Sequence, residues 1–277
     1  MAALLALLSS VLWGGADFLG GTVSRRLPAL VVVGASQLVG LLAIAAVAVA
    51  LGELDAPTGY VPWAVAAGIA GLVGLVAFYA ALASGTMGVV SPIAALGVIV
   101  PVVVGLARGE RPSGLQLAGI VLAVVGVVLA SGPELSGRAG LRPLLLAVLA
   151  ATCFGLTLLF IAEGARSSTV MTLVTMRMTS VVAVTLVLVS LARRARVRLT
   201  PRDVAPIALV GIGDVSANLA YGAASTRGLV SVVAVLGSLY PVVTVLLARI
   251  VHDERLAAVQ NAGIAAALSG VALIAVG

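Results

Sequence analysis

"TMGVVSPIAALGVIVPVV" at residues 86–103 returns 140 residues later as "TRGLVSVVAVLGSLYPVV" at residues 226–243. Further matches follow at an offset of 144 and precede at an offset of 141, so the similarity extends over both halves of the chain. The matched pairs include Gly97/Gly237, Pro101/Pro241, Glu110/Glu254, Gly119/Gly263, Gly126/Gly270 and Gly14/Gly155. A repeat of this length indicates a duplicated structural unit. We place the two units at residues 1–134 and 135–277.

The amino-acid composition indicates whether the repeat folds in water or in a membrane. Hydrophobic residues make up 62% of the 277 residues and charged residues only 9%, and the mean hydropathy is +1.26. Soluble domains carry about a quarter charged residues, so this chain is predicted to be an integral membrane protein.

Charged and turn-forming clusters divide the chain into ten apolar segments, each near the length of about 20 residues that crosses a bilayer as a helix. The predicted spans are 2–23, 28–51, 60–83, 87–107, 113–131, 141–162, 168–192, 203–224, 230–250 and 257–276. Each repeat therefore contains five spans. Because five is odd, the second copy enters the membrane from the opposite side. The predicted fold is an all-α integral membrane protein of ten transmembrane helices, arranged as two inverted five-helix repeats.

Each half ends in a pattern of Gly, Ser, Leu, Pro, Glu-Arg, Gln and Gly at similar spacing, and the first span contains Trp-Gly. This order resembles the EamA-type transporters of the drug/metabolite transporter superfamily. "DFLGGTVSR" at 17–25 also resembles the first helix of small multidrug resistance proteins. In that family a membrane carboxylate exchanges protons for substrate, and the resemblance implies that Asp17 is this acid. Leu158 stands at the equivalent place in the second repeat.

Three ionisable residues lie well inside predicted spans, namely Asp17, Arg177 and Asp214. Each costs roughly 2.5–3.5 kcal/mol at a helix centre, so each is expected to face protein or water and to have a partner. Spans 7 and 8 form a hairpin in which Arg177 and Asp214 lie at similar depth, which favours their pairing. Asp17 then remains without a cation, and a low-dielectric cavity favours its neutral form. The alternatives are a carboxyl held by hydroxyls at a helix contact and a static ion pair that locks the hairpin.

Helical spacing extends these polar positions into two stripes. Ser10, Trp13 and Asp17 follow one face of span 1, and Asp214, Asn218 and Tyr221 follow one face of span 8. These residues, with Arg177, are the candidate proton and substrate site. Packing is the alternative role of Trp13. Glycines seven residues apart in spans 5 and 10 indicate close helix packing, and the resemblance implies that these two helices contact each other.

Several classes of function are disfavoured. The arginines, with a net charge of +6, lie between apolar segments without interleaved aromatics, so we expect no nucleic-acid partner. One cysteine, Cys153, and one histidine provide neither a disulfide nor a structural zinc site. No phosphate-binding loop or nucleophile motif is present, so we expect neither an enzyme nor a cofactor.

The function predicted from the residues and the resemblance is proton-coupled, alternating-access export of a small cationic or zwitterionic metabolite or drug. The alternatives are an uncoupled facilitator and a membrane scaffold subunit that transports nothing. Arginine is more frequent in loops after odd-numbered spans, which favours termini outside, whereas the resemblance implies cytoplasmic termini. All 16 basic residues are arginine, which is typical of a GC-rich bacterial gene. The predicted location is the bacterial cytoplasmic membrane, and the predicted partners are a small solute, protons and lipid.

Overall fold

The computed structural model describes residues 1–84, 90, 93–130, 141–191, 199–252 and 257–277. These residues form α-helices joined by short loops and turns, with no strand among them. The helices are α1 (Ala2–Ser24), α2 (Ala29–Leu51), α3 (Val61–Ser84), α4 (Ile99–Ala107), α5 (Gly114–Ala130), α6 (Leu141–Ala165), α7 (Thr169–Leu191), α8 (Pro201–Ser225), α9 (Val230–Gly237), α10 (Tyr240–His252) and α11 (Ala258–Val276).

Six of these helices are long and apolar enough to cross a membrane, namely α1, α2, α3, α6, α7 and α8. Shorter apolar helical stretches cover Ile93–Ala107, Gly114–Leu129, Val230–Thr244 and Ala258–Ile274. Leu, Val and Ile side chains are exposed along the outer faces, as expected where lipid rather than water surrounds a helix. The predicted break at residues 84–88 lies almost entirely outside the described residues.

Spans 4 and 9 are each interrupted rather than continuous. A 3₁₀ turn at Leu96–Val98 precedes α4, and α9 ends at Gly237 before α10 begins at Tyr240. Pro101 and Pro241 lack the N–H that would bond to the carbonyls of Gly97 and Gly237, four residues earlier, so the regular ladder is lost at those carbonyls. The two interruptions occupy equivalent places in the repeat.

The helix contacts follow a pseudo-twofold pattern. Helix α1 packs on α8 as its counterpart α6 packs on α3, and α2 packs on its counterpart α7. Among the described helices, the contact between α5 and α11 is the most extensive, in agreement with the contact that the resemblance implies for spans 5 and 10. A Cβ on Gly119 would lie 2.7 Å from the carbonyl oxygen of Gly270, so the two backbones meet with no room for a side chain.

Both chain termini lie at the same end of the helix bundle. The Ala2 side chain lies beside Gly228, and Gly277 lies beside Ser113. At this end the two halves are joined by side-chain contacts. Ser168 donates its hydroxyl to Glu53 at 2.7 Å, and Arg108 forms an ion pair with Glu163.

Candidate functional site

A cavity lies between the two halves, near the middle of the long helices. Its volume is about 80 Å³, and it is partly open to the surroundings. The first half contributes Trp13, Asp17, Gln37, Gly71 and Leu75 to its wall, and the second half contributes Phe154, Leu158, Arg177, Asp214, Asn218 and Tyr240 among others.

The wall is built from repeat-equivalent positions that carry different side chains. The offset of 141 pairs Trp13 with Phe154 and Asp17 with Leu158, and all four line the cavity. Equivalence also pairs Gln37 with Arg177, since α2 and α7 are offset by 140 at both ends. The two halves therefore share a backbone shape but place different charges around the cavity.

Helix α8 is aligned with α3 through two matching glycine contacts. A Cβ on Gly68 would meet the carbonyl of Met176, and one on Gly211 would meet that of Ser36. Because Ser36 and Met176 are equivalent, Gly68 and Gly211 are equivalent too. Gly71 lies three residues after Gly68, and Asp214 lies three residues after Gly211. Asp214 thus corresponds to Gly71. An acid in the second half stands where the first half has no side chain.

Asp214 is surrounded by donors from three other helices and its own. The Trp13 indole N–H donates to Oδ1 at 3.2 Å, and the Asn218 amide donates to the same oxygen at 3.1 Å. The Gln37 amide donates to Oδ2 at 3.4 Å. An Arg177 Nη2 lies 2.8 Å from Oδ2 and forms an ion pair with it. Its negative charge is thereby balanced.

Arg177 is itself almost fully enclosed, with 1% of its surface exposed. Its Nη1 donates to the Gln37 side-chain oxygen. Gln37 thus bridges the arginine and Asp214, because it accepts from one and donates to the other. Spans 2, 7 and 8 are joined at the cavity by this group of three side chains.

Asp17 has a different environment from Asp214. The Tyr79 hydroxyl of α3 donates a hydrogen bond to it, and the negative charge of Asp214 acts on it across the cavity. Among the ion pairs of the described residues, none includes Asp17. Gly20, one turn further along α1, makes room for the Tyr79 ring, since any Cβ there would overlap its hydroxyl.

Five of the seven candidate residues taken from the sequence line this cavity, namely Trp13, Asp17, Arg177, Asp214 and Asn218. The other two stand outside its wall. Ser10 is buried and donates its hydroxyl to the Leu7 carbonyl. Tyr221 is also buried, and its ring lies behind Trp13 with centroids 5.8 Å apart.

Sequence analysis missed Gln37 and Tyr79. Gln37 could have been found, because the repeat offset places it opposite Arg177 and it interrupts an apolar segment. Tyr79 carries no such signal, since an aromatic residue in an apolar helix is typical of packing. In the described part of the chain, no group of His, Cys, Asp and Glu side chains forms a metal site.

Comparisons with known proteins agree with this architecture. A sequence model of the EamA-like transporter family matches residues 1–132 and 141–276, one match to each half. A solved structure described only as a crystal structure of a protein is similar, with a TM-score of 0.79 and 20% sequence identity over 98% of this chain and 95% of that one. No curated protein matches the sequence. The two family matches together span nearly the whole chain, and the protein belongs to the EamA-like transporter family.

Proposed function

We propose that this protein is a proton-coupled, alternating-access exporter of a small organic cation or zwitterion in the bacterial cytoplasmic membrane. The observation that carries the proposal is Asp17, a carboxyl that faces a cavity between the two halves and takes part in no described ion pair. Burial favours the neutral form of such a group, so a proton and a cationic solute compete for it. Competition of this kind couples the two fluxes.

The proposed topology is ten spans in two inverted five-helix units, residues 1–134 and 135–277. The pseudo-twofold helix contacts and the odd number of spans per unit support it. Sites of inverted-repeat transporters lie near the membrane midplane between the repeats, and this cavity is lined by both halves of the chain. The interruption of span 9 borders the same region, since Gly237, Ser238 and Tyr240 belong to its wall.

The roles within the site follow from the contacts. Asp17 is the proton and substrate group, and Tyr79 holds its carboxyl by a hydrogen bond. Trp13 and Asn218 fix Asp214 and present their remaining surface to the solute. Asp214 and Arg177 neutralise each other, which leaves one surplus negative charge when Asp17 is ionised. Such a site favours a solute that carries a positive charge.

Flux measurements in proteoliposomes test the proposal. The full chain is reconstituted with an entrapped pH indicator, and a panel of amines and amino acids is added under an imposed pH gradient. We expect solute-dependent proton movement that disappears in Asp17→Asn and persists in Asp55→Asn, an exposed control. Solute flux that ignores both the gradient and the Asp17→Asn change would select the uncoupled facilitator. No flux of any solute would favour the scaffold subunit.

A further inference from the structure

We propose that Asp214, acting with Gln37, keeps carboxylate-bearing solutes out of the cavity by sequestering Arg177, so that the site takes amine monocations with an apolar body and rejects amino acids. This inference rests on the proposed function and narrows its substrate class. A cavity that binds a zwitterion needs an accessible anion and an accessible cation. Among the described side chains, Asp17 supplies an accessible anion, but none supplies an accessible cation.

Protein groups enclose the Arg177 guanidinium. One terminal nitrogen donates to Gln37 and the other is paired with Asp214. The remaining nitrogen, Nε, lies 3.6 Å from the Cβ position of Gly40, within the contact between α2 and α8. Both Nε and Nη2 are buried and have no hydrogen-bond partner, although Nη2 is ion-paired with Asp214. A solute carboxylate would have to displace Asp214 to reach this charge.

Asp214 is held in that pairing by more than Arg177. The Trp13, Asn218 and Gln37 donors all point at its two oxygens. These donors and Arg177 occupy both carboxylate oxygens, so a solute cation would have to displace them to reach this acid. Asp17, which lacks an arginine partner among the described ion pairs, is the anion left for the solute.

The repeat shows what Asp214 adds. Its equivalent is Gly71, and the equivalent of Arg177 is Gln37, so the first half has neither member of the ion pair. A buried arginine without an anion is strongly unfavourable. Asp214 therefore neutralises the Arg177 side chain, which allows an arginine to lie in the wall. The positive charge of Arg177 is then not available to a solute.

The rest of the wall suits an apolar body. Leu75, Phe154, Leu158 and Met176 line the cavity beside Asp17. The hydroxyls of Thr157 and Ser180 donate to backbone carbonyls of α6, α3 and α7, so they are already engaged. In the described part of the wall, a carboxylate placed against this surface would lose its hydration and meet the unpartnered Tyr240 hydroxyl, but no free cation.

Matched ligand pairs test the inference in detergent, where neither flux nor a proton gradient is needed. Calorimetric binding to the full chain compares tryptamine with tryptophan and phenethylamine with phenylalanine, which differ only in the carboxylate. We expect each amine to bind about tenfold tighter, or more, than its amino acid. Amino acids that bind as tightly as the amines would overturn the inference, and so would failure of both amines to bind.

Variants separate exclusion by Asp214 from simple attraction by Asp17. Asp214→Asn frees Arg177 and is expected to lower or reverse the preference for amines, whereas Asp214→Glu is expected to keep it. The double variant Asp214→Asn/Arg177→Gln removes both charges, avoids an unpaired buried cation, and is expected to retain the amine preference. An unchanged preference in Asp214→Asn would refute the role of Asp214. If Asp214→Asn fails to fold, the wild-type ligand pairs can still overturn the inference. Uncoupled transport in proteoliposomes would refute the coupling mechanism and leave this binding result intact.

Discussion

The two carboxylates of the cavity differ in the donors that surround them. Asp214 receives side-chain hydrogen bonds from Trp13, Gln37 and Asn218 and is paired with Arg177. Asp17 has the Tyr79 hydroxyl as its side-chain hydrogen-bond partner. Two identical chemical groups in one cavity therefore present different contacts to a solute.

The position of Tyr79 depends on the absence of a side chain at Gly20. A Cβ at this position would overlap the hydroxyl and the ring carbon that bears it. We expect Gly20→Ala to destabilise the protein by about 1–3 kcal/mol and to displace Tyr79 from Asp17, because overpacking in a filled interior forces neighbours to shift. Thermal unfolding in detergent and amine binding measure the two effects.

Gly15 provides the matched control on the same helix. Nothing lies within 4 Å of its Cβ position. Gly15→Ala should change stability by less than about 1 kcal/mol, in the stabilising direction that helix propensity favours. Equal losses in Gly15→Ala and Gly20→Ala would show that the Tyr79 contact is not the cause. Partial recovery of Gly20→Ala by Tyr79→Phe is expected, since that change removes the overlapping oxygen.

At the residue scale, helical geometry predicts from the sequence which side chains share a helix face, but not which of them reach the cavity. Trp13 and Asp17 share a face and a cavity. Ser10 shares that face, but it is seven residues from Asp17, about 10 Å along the helix axis. Tyr79 is positioned by a contact between α1 and α3 that no periodicity within either helix encodes.

At the scale of elements, Glu110 links the two halves by capping helix α9. Its two carboxylate oxygens accept the backbone N–H groups of Val230 at 2.8 Å and Ser231 at 3.0 Å. These groups belong to the first turn of α9, where an anion compensates unpaired donors and the positive end of the helix dipole. The Glu-Arg element at 110–111 thus has a structural reason to recur in the repeat.

Removal of this cap has a predicted cost. We expect Glu110→Gln to weaken the contact and Glu110→Ala to destabilise the fold by about 1–2 kcal/mol, as loss of an N-terminal cap does. Thermal unfolding of the detergent-solubilised protein measures both. Asp55→Asn, an exposed acid at the same end, should leave the unfolding temperature unchanged. An Ala variant as stable as wild type would contradict the capping role.

The pair α5 and α11 tests the prediction that small residues set helix contacts. A Cβ on Gly126 would lie 2.7 Å from Ala267 Cα and 2.8 Å from the Gly263 carbonyl oxygen. Gly126→Leu should separate the helices and cost more than about 2 kcal/mol of unfolding free energy. Val121→Leu, an exposed site on the same helix, should cost nearly nothing. Comparable melting temperatures for the two variants would argue against close packing here.

The elements themselves were largely predictable. Apolar segments of about 20 residues bounded by arginine, glycine and proline gave α1, α2 and α3 within one or two residues. The interruptions in spans 4 and 9 lie near the carbonyls of Gly97 and Gly237, four residues before Pro101 and Pro241. A proline removes a hydrogen bond from that earlier carbonyl, so the irregularity appears there.

At the scale of the whole molecule, the repeat makes the two ends of the helix bundle equivalent by sequence. The end that carries both termini is held by contacts between the halves, including Ser168 with Glu53 and Glu110 with Val230. Alternating access requires the halves to part at one end while they meet at the other. The contacts at this end are therefore expected to break during each transport cycle.

A disulfide across this end tests that requirement. The Cβ position of Gly59 lies 3.7 Å from Ser167 Cβ, within the range of disulfide geometry, and the two residues belong to different halves. In a Cys153→Ala background, Gly59→Cys/Ser167→Cys should form a disulfide under oxidation and lose solute flux, and a reductant should restore it. Each single cysteine variant, treated with the same oxidant, controls for oxidation elsewhere. Undiminished flux in the fully cross-linked protein would mean that this end stays closed throughout transport, and alternating access by separation of the two halves would have to be abandoned.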